Sequence, residues 1–203
     1  MANAAEHWDA AYAPGDLERG WYQPKATVSM ELLARCDVAP DAAIVDVGSG
    51  ASVFLDDALA AGYLNLTAVD LSLVGMAISK DRLGSRAQSV RWVHADVCTW
   101  EPPSTFQVWH DRAALHFLLD EAKRLEYRQT LMRATKPGSW AVIGSFSPAG
   151  PTMCAGLPVR RASAADLAEF LGQPWHVVEV ADRTHMRPDG DSQAYVWVRA
   201  QRQ

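Results

Sequence analysis

An apolar run that ends in a Gly-x-Gly turn constrains the fold of this chain more than any other feature. Residues 42–47 are apolar apart from one acid, and Gly48, Ser49 and Gly50 follow at once, while a second apolar run ends at Asp70. A buried strand leading into such a turn lets backbone amides approach a ligand closely, and an acid at the next strand tip can accept both hydroxyls of a ribose. The pattern predicts a site for a nucleoside cofactor.

The glycine turn alone leaves more than one such cofactor open. Dinucleotide-binding turns have a third glycine three residues after the second, and Val53 stands at that position. Asp46 lies inside the apolar strand, where a carboxylate is costly to bury unless a cationic or donor-rich partner meets it. The ammonium of a bound amino-acid moiety would be such a partner. The turn therefore disfavours a nicotinamide cofactor.

At these residues the chain resembles the class I S-adenosylmethionine-dependent methyltransferases. Residues 45–50 match that family's first-strand motif of hydrophobic residue, acid, hydrophobic residue and Gly-x-Gly. Residues 69–72 are similar to its ribose-binding strand end, and residues 94–97 to its third strand end, where an acid and the next backbone amide contact the adenine. The resemblance implies S-adenosylmethionine as cofactor and a set of binding residues: Asp46, Gly48, Ser49, Gly50, Asp70, Leu71, Ser72, Asp96 and Val97.

The order of strand and helix patterns predicts a mostly parallel sheet covered on both faces. The expected fold is α/β, a Rossmann-like three-layer sandwich with a seven-stranded, mostly parallel sheet, an antiparallel C-terminal edge hairpin and N-terminal cap helices. Strands are expected near residues 43–47, 65–69, 90–94, 106–110, 139–145, 175–180 and 193–199. Helices are expected over residues 4–12, 25–36, 52–61, 73–83, 120–135 and 163–171.

The chain length suits one domain over residues 1–203, with a Rossmann-like core at 41–203 and a preceding cap segment at 1–40. Ligands of an open α/β sheet lie outside the carboxyl ends of its strands, so this segment could close over the cofactor and exclude water. Trp21 and Tyr22 are its candidate contacts with the cofactor, although buried aromatics serve equally as plain packing residues.

Composition narrows the possible partners. The formal net charge is −5 and no Lys/Arg stripe is present, which disfavours nucleic acid as a partner. The three cysteines form no C-x-x-C pair, so the sequence suggests neither a disulfide framework nor a metal site. No signal-peptide pattern or long apolar run is found, which predicts a cytoplasmic protein without a membrane partner. Either a monomer or a homodimer fits the sequence.

The fourth predicted strand ends in the candidates for catalysis. Asp111 and Arg112 resemble an acid-then-basic pair in the family branch that includes protein lysine methyltransferases. If residues 112–119 are helical, Arg112 and His116 lie one turn apart and line the acceptor pocket. His116 is then the leading candidate for a general base, because an imidazole titrates near physiological pH, although its apolar neighbours equally suit a core residue.

Three further residues are weighed for the acceptor pocket. His110 is expected to turn into the sheet, and Cys154 is not expected to act as a nucleophile, because methyl transfer is a direct displacement. Phe146, together with Trp21 and Tyr22, is expected to make the pocket apolar and suited to a neutral or soft nucleophile. The sequence thus predicts methyl transfer to a small molecule; the alternatives are a protein lysine methyltransferase, a catalytically silent cofactor-binding module and a nicotinamide oxidoreductase.

Overall fold

A seven-stranded sheet with helices packed around it forms the centre of the molecule. The structure is a computed structural model that describes residues 4–13 and 19–203, so part of the predicted cap segment 1–40 lies outside the described residues. The helices are α1 (Ala4–Tyr12), α2 (Thr27–Ala34), α3 (Phe54–Ala60), α4 (Leu73–Leu83), α5 (Glu121–Arg133) and α6 (Ala164–Leu171). The strands are β1 (Ala43–Val47), β2 (Asn65–Asp70), β3 (Val90–His94), β4 (Val108–Arg112), β5 (Trp140–Phe146), β6 (Met153–Cys154), β7 (Leu157–Pro158), β8 (Trp175–Met186) and β9 (Ser192–Arg202).

The strand order in the sheet is β3-β2-β1-β4-β5-β9-β8. The first five of these strands are parallel, and β9 pairs antiparallel with β5 and with β8. The order reverses beside β1, so the carboxyl ends of β1 and β4 border the crevice where open α/β sheets bind ligands. The predicted mostly parallel seven-stranded sheet with an antiparallel edge hairpin is therefore confirmed.

Alternation along β1 sends neighbouring side chains to opposite faces of the sheet. Val45 and Val47 join one buried cluster, which includes Tyr127 of α5, whereas Ile44 joins the other, which includes Phe54 of α3. Asp46 lies on the same face as Ile44 and is 2% exposed. The strand thus carries a buried carboxylate toward α2 and α3, just before the glycine turn.

Short polar caps fix where several helices begin. Ser163 and Asp166 form a capping box at the start of α6, with each side chain bonded to the other residue's backbone N–H. Asp120 caps α5 by accepting a hydrogen bond from the Ala122 backbone, and Ser72 caps α4 through Gly75. The six described helices begin within two residues of the predicted positions.

The structure differs from the sequence prediction in several elements. Strand β4 begins at Val108 and ends at Arg112, two residues later than expected. The segment after it contains a 3₁₀ turn at Leu115–Phe117 in place of a helix over residues 112–119. A small hairpin, β6–β7, was not predicted. Among the described residues, no helix is long and apolar enough to cross a bilayer.

Candidate active site

A cavity of about 360 Å³ lies at the carboxyl ends of β1 to β4. Small-molecule sites commonly measure about 300–1,000 Å³, so its size suits a cofactor or substrate. Its walls come from the glycine turn, the strand ends, the N-terminal segment and the β6–β7 hairpin. The predicted site residues among them are Asp46, Gly48, Ser49, Asp70, Leu71, Asp96, Val97, Arg112, Trp21 and Tyr22.

The glycine turn is fastened to the neighbouring strand. The backbone N–H groups of Gly48 and Ser49 both donate to the Val69 carbonyl, over 2.8 and 3.3 Å. Gly48 has φ +64°, and a Cβ on it would lie 2.5 Å from the Ala114 Cβ. Only glycine meets both the backbone geometry and the close approach of the segment after β4.

Two buried polar atoms face this turn without a hydrogen-bond partner among the described residues. They are Oδ2 of Asp46 and Oγ of Ser49, and both residues line the cavity. The other Asp46 oxygen, Oδ1, accepts a 2.6 Å hydrogen bond from Nδ1 of His110. Because buried polar groups are normally satisfied, the two atoms are suited to bind the charged amino-acid end of a ligand. S-Adenosylmethionine has such an end, so these residues fit the cofactor that the sequence predicts.

Asp70 stands at the end of β2 on the cavity wall, and backbone amides hold its carboxylate. Oδ2 accepts from the Gly50 N–H at 2.7 Å and Oδ1 from the Ser72 N–H at 2.6 Å. Burial raises the pKa of Asp70 to about 6, against the lowering effect of those two hydrogen bonds. Each oxygen retains a lone pair for a ligand hydroxyl. Gly50 and Ser72, expected as cofactor contacts, are not on the cavity wall and instead position Asp70.

The segment after β3 supplies the far end of the cavity. Ala95, Asp96 and Val97 line it together with Cys98. Asp96 Oδ1 accepts the Cys98 backbone N–H at 2.8 Å, which fixes the direction of its carboxyl group. The structure therefore places Asp96 and Val97 beside the other predicted cofactor residues, although they are far from them in the sequence.

An aromatic cluster from the N-terminal segment covers the cavity. Trp8 and Tyr12 of α1 lie one helical turn apart, and both contact Trp21, with ring centroids 6.4 and 5.8 Å away. Trp8 also packs edge-to-face on Phe117 at 4.7 Å. Sequence reasoning missed Trp8, Tyr12 and Phe117 as cavity residues, although the Trp8-Tyr12 spacing on a predicted helix was a usable signal.

Helix α1 is tied to the cofactor end of the cavity by one carboxylate. Oδ1 of Asp9 accepts from the Ser72 hydroxyl at 2.7 Å and from the Val74 backbone N–H at 3.1 Å. These hydrogen bonds lower the pKa of Asp9. The negative charge lies at the N-terminus of α4, where the helix dipole favours it. The N-terminal segment is thereby attached directly beside Asp70.

Arg112 is the predicted catalytic residue that the structure places on the cavity wall. Its Nη1 donates to the Trp21 carbonyl at 3.0 Å, and its guanidinium carbon lies 5.3 Å from the Tyr195 ring centroid. Nη2 is buried and has no hydrogen-bond partner among the described residues. Arg112 thus connects the end of β4 with the N-terminal segment and retains a free donor.

Asp111 is buried away from the cavity, so the expectation that it contacts ligand is corrected. Because β4 ends later than predicted, the strand pleat turns Asp111 toward α5. Oδ2 accepts from the Tyr127 hydroxyl at 2.6 Å, and Oδ1 accepts from the Ala114 backbone N–H at 2.8 Å. Burial raises its pKa to about 6, although the Tyr127 bond acts in the opposite direction. Asp111 positions the turn that meets Gly48.

His116 does not line the cavity, which corrects the prediction of an acceptor-lining base. It is 1% exposed, and its ring lies 4.6 Å from Phe146 and 4.4 Å from Phe117. Burial, with a further effect of the Arg112 charge, lowers the pKa of His116 to about 3. The cause is the 3₁₀ turn, which directs the side chain into the core where a helix would have placed it beside Arg112. Phe146 is likewise fully buried and not a wall residue.

His110 and Cys154 differ in their relation to the cavity. His110 is buried, stacks on Phe54 at 4.0 Å and pairs through Nε2 with the Ser29 hydroxyl at 2.8 Å. It supports Asp46 from behind. Cys154 lines the cavity, and burial raises the pKa of its thiol to about 11, so the thiol is protonated at neutral pH.

The fold is that of the class I methyltransferases. Residues 44–138 match the family model described as a methyltransferase domain. NodS N-methyltransferase from Bradyrhizobium japonicum WM9, solved with S-adenosyl-L-homocysteine, matches with a TM-score of 0.75 at 19% identity, covering 99% of each chain. The chain is thus similar to the class I S-adenosylmethionine-dependent methyltransferases over residues 44–138, and it shares their fold.

Two other relatives differ in the acceptor that their names state. The Burkholderia thailandensis 1,6-didemethyltoxoflavin-N1-methyltransferase, with bound 1,6-didemethyltoxoflavin and S-adenosylhomocysteine, has a TM-score of 0.68 at 22% identity, over 96% of this chain and 79% of that one. The eEF1A lysine and N-terminal methyltransferase of Mus musculus is 23% identical over 176 residues, which are 86% of this chain and 24% of that protein. The chain spans about a quarter of the length of this curated relative.

Proposed function

We propose that this chain transfers the methyl group of S-adenosylmethionine to a small-molecule acceptor and releases S-adenosylhomocysteine. The observation that carries the proposal is the continuity of the cavity. Its walls run from the acids at the ends of β1 to β3 to a second region formed by Trp21, Arg112 and Cys154. A cofactor at the acidic end would therefore share the cavity with an acceptor at the other end.

The residues at the acidic end match the chemical groups of the cofactor. Asp46 and Ser49 would hold its ammonium and carboxylate, because each offers a buried polar atom that lacks another partner among the described residues. Asp70 would accept the ribose hydroxyls, and Asp96 with the Val97 backbone would contact the adenine. When bound, the cofactor supplies an electrophilic methyl group on a sulfonium.

The protein's own contribution to such a displacement is positioning. Holding two reactants in line can supply a large part of the barrier reduction without a covalent or metal participant. No histidine lies on the cavity wall among the described residues. With His116 held neutral in the core, the proposed reaction uses an acceptor whose attacking atom is already unprotonated. Arg112, Trp21 and Tyr22 would orient that acceptor.

The N-terminal segment supports a small acceptor over a protein side chain. Helix α1 and residues 19–23 form one wall of the cavity, and Asp9 and Arg112 hold that wall through hydrogen bonds. We propose that residues 1–40 act as a lid on the core at 41–203 within one domain. A lid held in this way would have to move before a polypeptide could dock at the cavity.

A second candidate function is protein lysine methylation. It is favoured by the 23% identity to the eEF1A lysine and N-terminal methyltransferase. In this case the lid would open to admit a lysine side chain, and the aromatic rings of Trp8 and Trp21 would surround its alkyl chain.

One screen separates the two candidates. Purified protein is incubated with S-adenosylmethionine and, in separate arms, with a library of small thiols, amines and phenols or with cell-lysate protein. The proposal expects S-adenosylhomocysteine release with small acceptors only, whereas radiolabelled methyl groups in protein would favour the second candidate. Calorimetry with S-adenosylmethionine and with NAD tests the cofactor itself, and binding of NAD alone would contradict both candidates.

A further inference from the structure

We infer that Arg112 binds an anionic group of the acceptor, so that the substrates of this enzyme are small molecules carrying a carboxylate or a similar oxyanion. The inference rests on the proposed function and adds the chemical class of the substrate. It replaces the neutral acceptor that the apolar sequence around Phe146 suggested, because Phe146 lies in the core and Arg112 lies on the wall.

The first observation is the unused donor of Arg112. Nη1 is bonded to the Trp21 carbonyl, but Nη2 is buried without a partner among the described residues. A guanidinium stays charged at any physiological pH, so it cannot relieve its burial by losing a proton. Removing a charged donor from water is unfavourable unless an acceptor meets it, and a planar oxyanion is the acceptor that the guanidinium fork fits best.

The second observation is that no carboxylate of the described residues forms an ion pair with Arg112. Within residues 4–13 and 19–203, ion pairs involve many arginines but none involves Arg112. The pleat of β4 turns the neighbouring carboxylate of Asp111 to the opposite face, where it is bonded to Tyr127 and Ala114. Among the described residues, Arg112 therefore has no carboxylate partner, which leaves its charge available to an anionic ligand.

The third observation is the surroundings of the guanidinium. Burial, with further effects of the Arg112 and Arg187 charges, lowers the pKa of His185 to about 4, so this neighbour is neutral at pH 7. His185 Nε2 donates to the Gly20 carbonyl at 2.9 Å. The Arg112 guanidinium lies over the Tyr195 ring. The Tyr195 hydroxyl is buried and has no hydrogen-bond partner among the described residues. The Tyr195 hydroxyl is thus a second unused donor beside Arg112, and it lies behind the cavity wall.

Asp46, Asp70 and Asp96 line the cofactor end, and the wall of the cavity also includes Arg19 and Lys123. The three carboxylates outnumber these two cations, so a further carboxylate is favoured beside Arg112, which assigns the anion to the acceptor. Arg112, Cys154 and Leu157 line the other end. An acceptor with an anionic group would be oriented by Arg112 so that its nucleophilic atom faces the methyl group.

The test measures binding to the complex with S-adenosylhomocysteine, so it does not require a known acceptor. Benzoate, phenylacetate and butyrate are each compared with the corresponding carboxamide by calorimetry. We expect at least one acid to bind tenfold or more tightly than its amide, and Arg112→Gln to abolish that preference. Arg112→Lys should retain part of it, because lysine keeps the charge but loses the fork. The matched control is Arg91→Gln, at an exposed arginine of β3, which should bind as wild type does.

Each other outcome has a definite meaning. If no acid binds more tightly than its amide, or if the preference survives in Arg112→Gln, the inference is wrong. If Arg112→Gln instead lowers the affinity for S-adenosylmethionine tenfold or more, Arg112 binds the carboxylate of the cofactor. The inference is then also wrong, while the proposed function stands. Failure of the wild-type protein to bind S-adenosylmethionine would contradict the proposed function independently of Arg112.

Discussion

The two ends of the cavity are built on different principles. The cofactor end consists of three strand tips, each with an acid fixed by hydrogen bonds: Asp46 through His110, Asp70 through Gly50 and Ser72, and Asp96 through Cys98. The acceptor end gathers Trp8, Trp21, Arg112 and Leu157 from four separate segments. Local geometry determines the first region, and tertiary packing determines the second.

This difference predicts different sensitivities to mutation. Changes at the cofactor end should affect S-adenosylmethionine binding with any acceptor. Changes in the N-terminal segment should have smaller effects, because several contacts share the work of holding it. The four predictions below test this contrast, beginning with the largest expected effect.

Replacement of Gly48 by alanine should abolish cofactor binding. The new Cβ would lie 2.5 Å from that of Ala114, at a backbone φ of +64° that other residues rarely adopt. We expect the affinity for S-adenosylmethionine to fall by more than about 100-fold. Gly62→Ala is the matched control, because Gly62 also has a positive φ but faces open space. If both variants lose the same affinity for S-adenosylmethionine, the loss comes from backbone strain and not from the contact between the turn and Ala114.

Asp70→Asn should weaken S-adenosylmethionine binding by about ten- to hundredfold, since hydrogen bonds to a charged group contribute about 1.5–3 kcal/mol. Burial raises the pKa of Asp70 to about 6. The carboxylate therefore gains a proton as the pH falls through 6 and loses acceptor capacity, so wild-type affinity should decrease below that pH. Calorimetry from pH 5 to 8 measures how the affinity for S-adenosylmethionine changes with pH. If Asp70→Asn shows the same pH dependence of affinity as wild type, Asp70 is not its origin.

Asp9→Ala should reduce cofactor affinity by only a few-fold. The change removes the two hydrogen bonds that join α1 to the start of α4, and the loss of such a cap costs about 1 kcal/mol. Limited proteolysis should cut the N-terminal segment faster in this variant than in Asp81→Ala, a control at an exposed residue of α4. Identical cleavage rates would show that Asp9 does not hold the segment.

His116→Phe should leave turnover per folded molecule within about twofold of wild type, in contrast with the factor of about 10²–10⁴ expected for a general base. The effect should appear in stability. Because the pKa of His116 is lowered to about 3, the unfolded chain binds more protons below pH 6.5, and wild-type stability falls as the pH drops.

In His116→Phe the free energy of unfolding should fall less steeply between pH 6.5 and 4 than in wild type. The difference in slope should be up to about 1.4 kcal/mol per pH unit. Denaturant unfolding at several pH values measures it, and His176→Gln, at an exposed histidine, should behave as wild type. A large loss of turnover with an unchanged pH dependence of stability would restore His116 as a catalytic candidate.

Much of the cofactor end could be predicted from the sequence because its determinants are local. The apolar run before Gly48 forms a strand wherever a sheet accepts it, and the Gly-x-Gly turn requires its own backbone geometry. The acid at Asp70 follows the next apolar run directly. Parallel pairing of these strands is then enough to place the glycine turn and Asp70 side by side, since the carboxyl ends of parallel strands share one edge of the sheet.

The acceptor end could not be predicted in the same way. A shift of β4 by two residues, together with its pleat, decided that Arg112 faces the cavity and Asp111 faces Tyr127. The segment around His116 has apolar residues that suit either a helix or a 3₁₀ turn, and packing against Phe146 selected the turn. The position of Trp8 depends on contacts with Trp21 and Phe117, which are distant in sequence.

The contact of Asp9 with Ser72 links the N-terminal segment to the cofactor site thermodynamically. Ser72 donates its backbone N–H to Asp70 and its hydroxyl to Asp9, so one residue joins the carboxylate proposed to bind the ribose to α1. Such a coupling is reciprocal. If cofactor binding multiplies the equilibrium constant for packing of α1 against α4 by some factor, packing of α1 multiplies the affinity for the cofactor by the same factor. A molecule that binds α1 only when it is packed against α4 would therefore raise the affinity for the cofactor without entering the cavity.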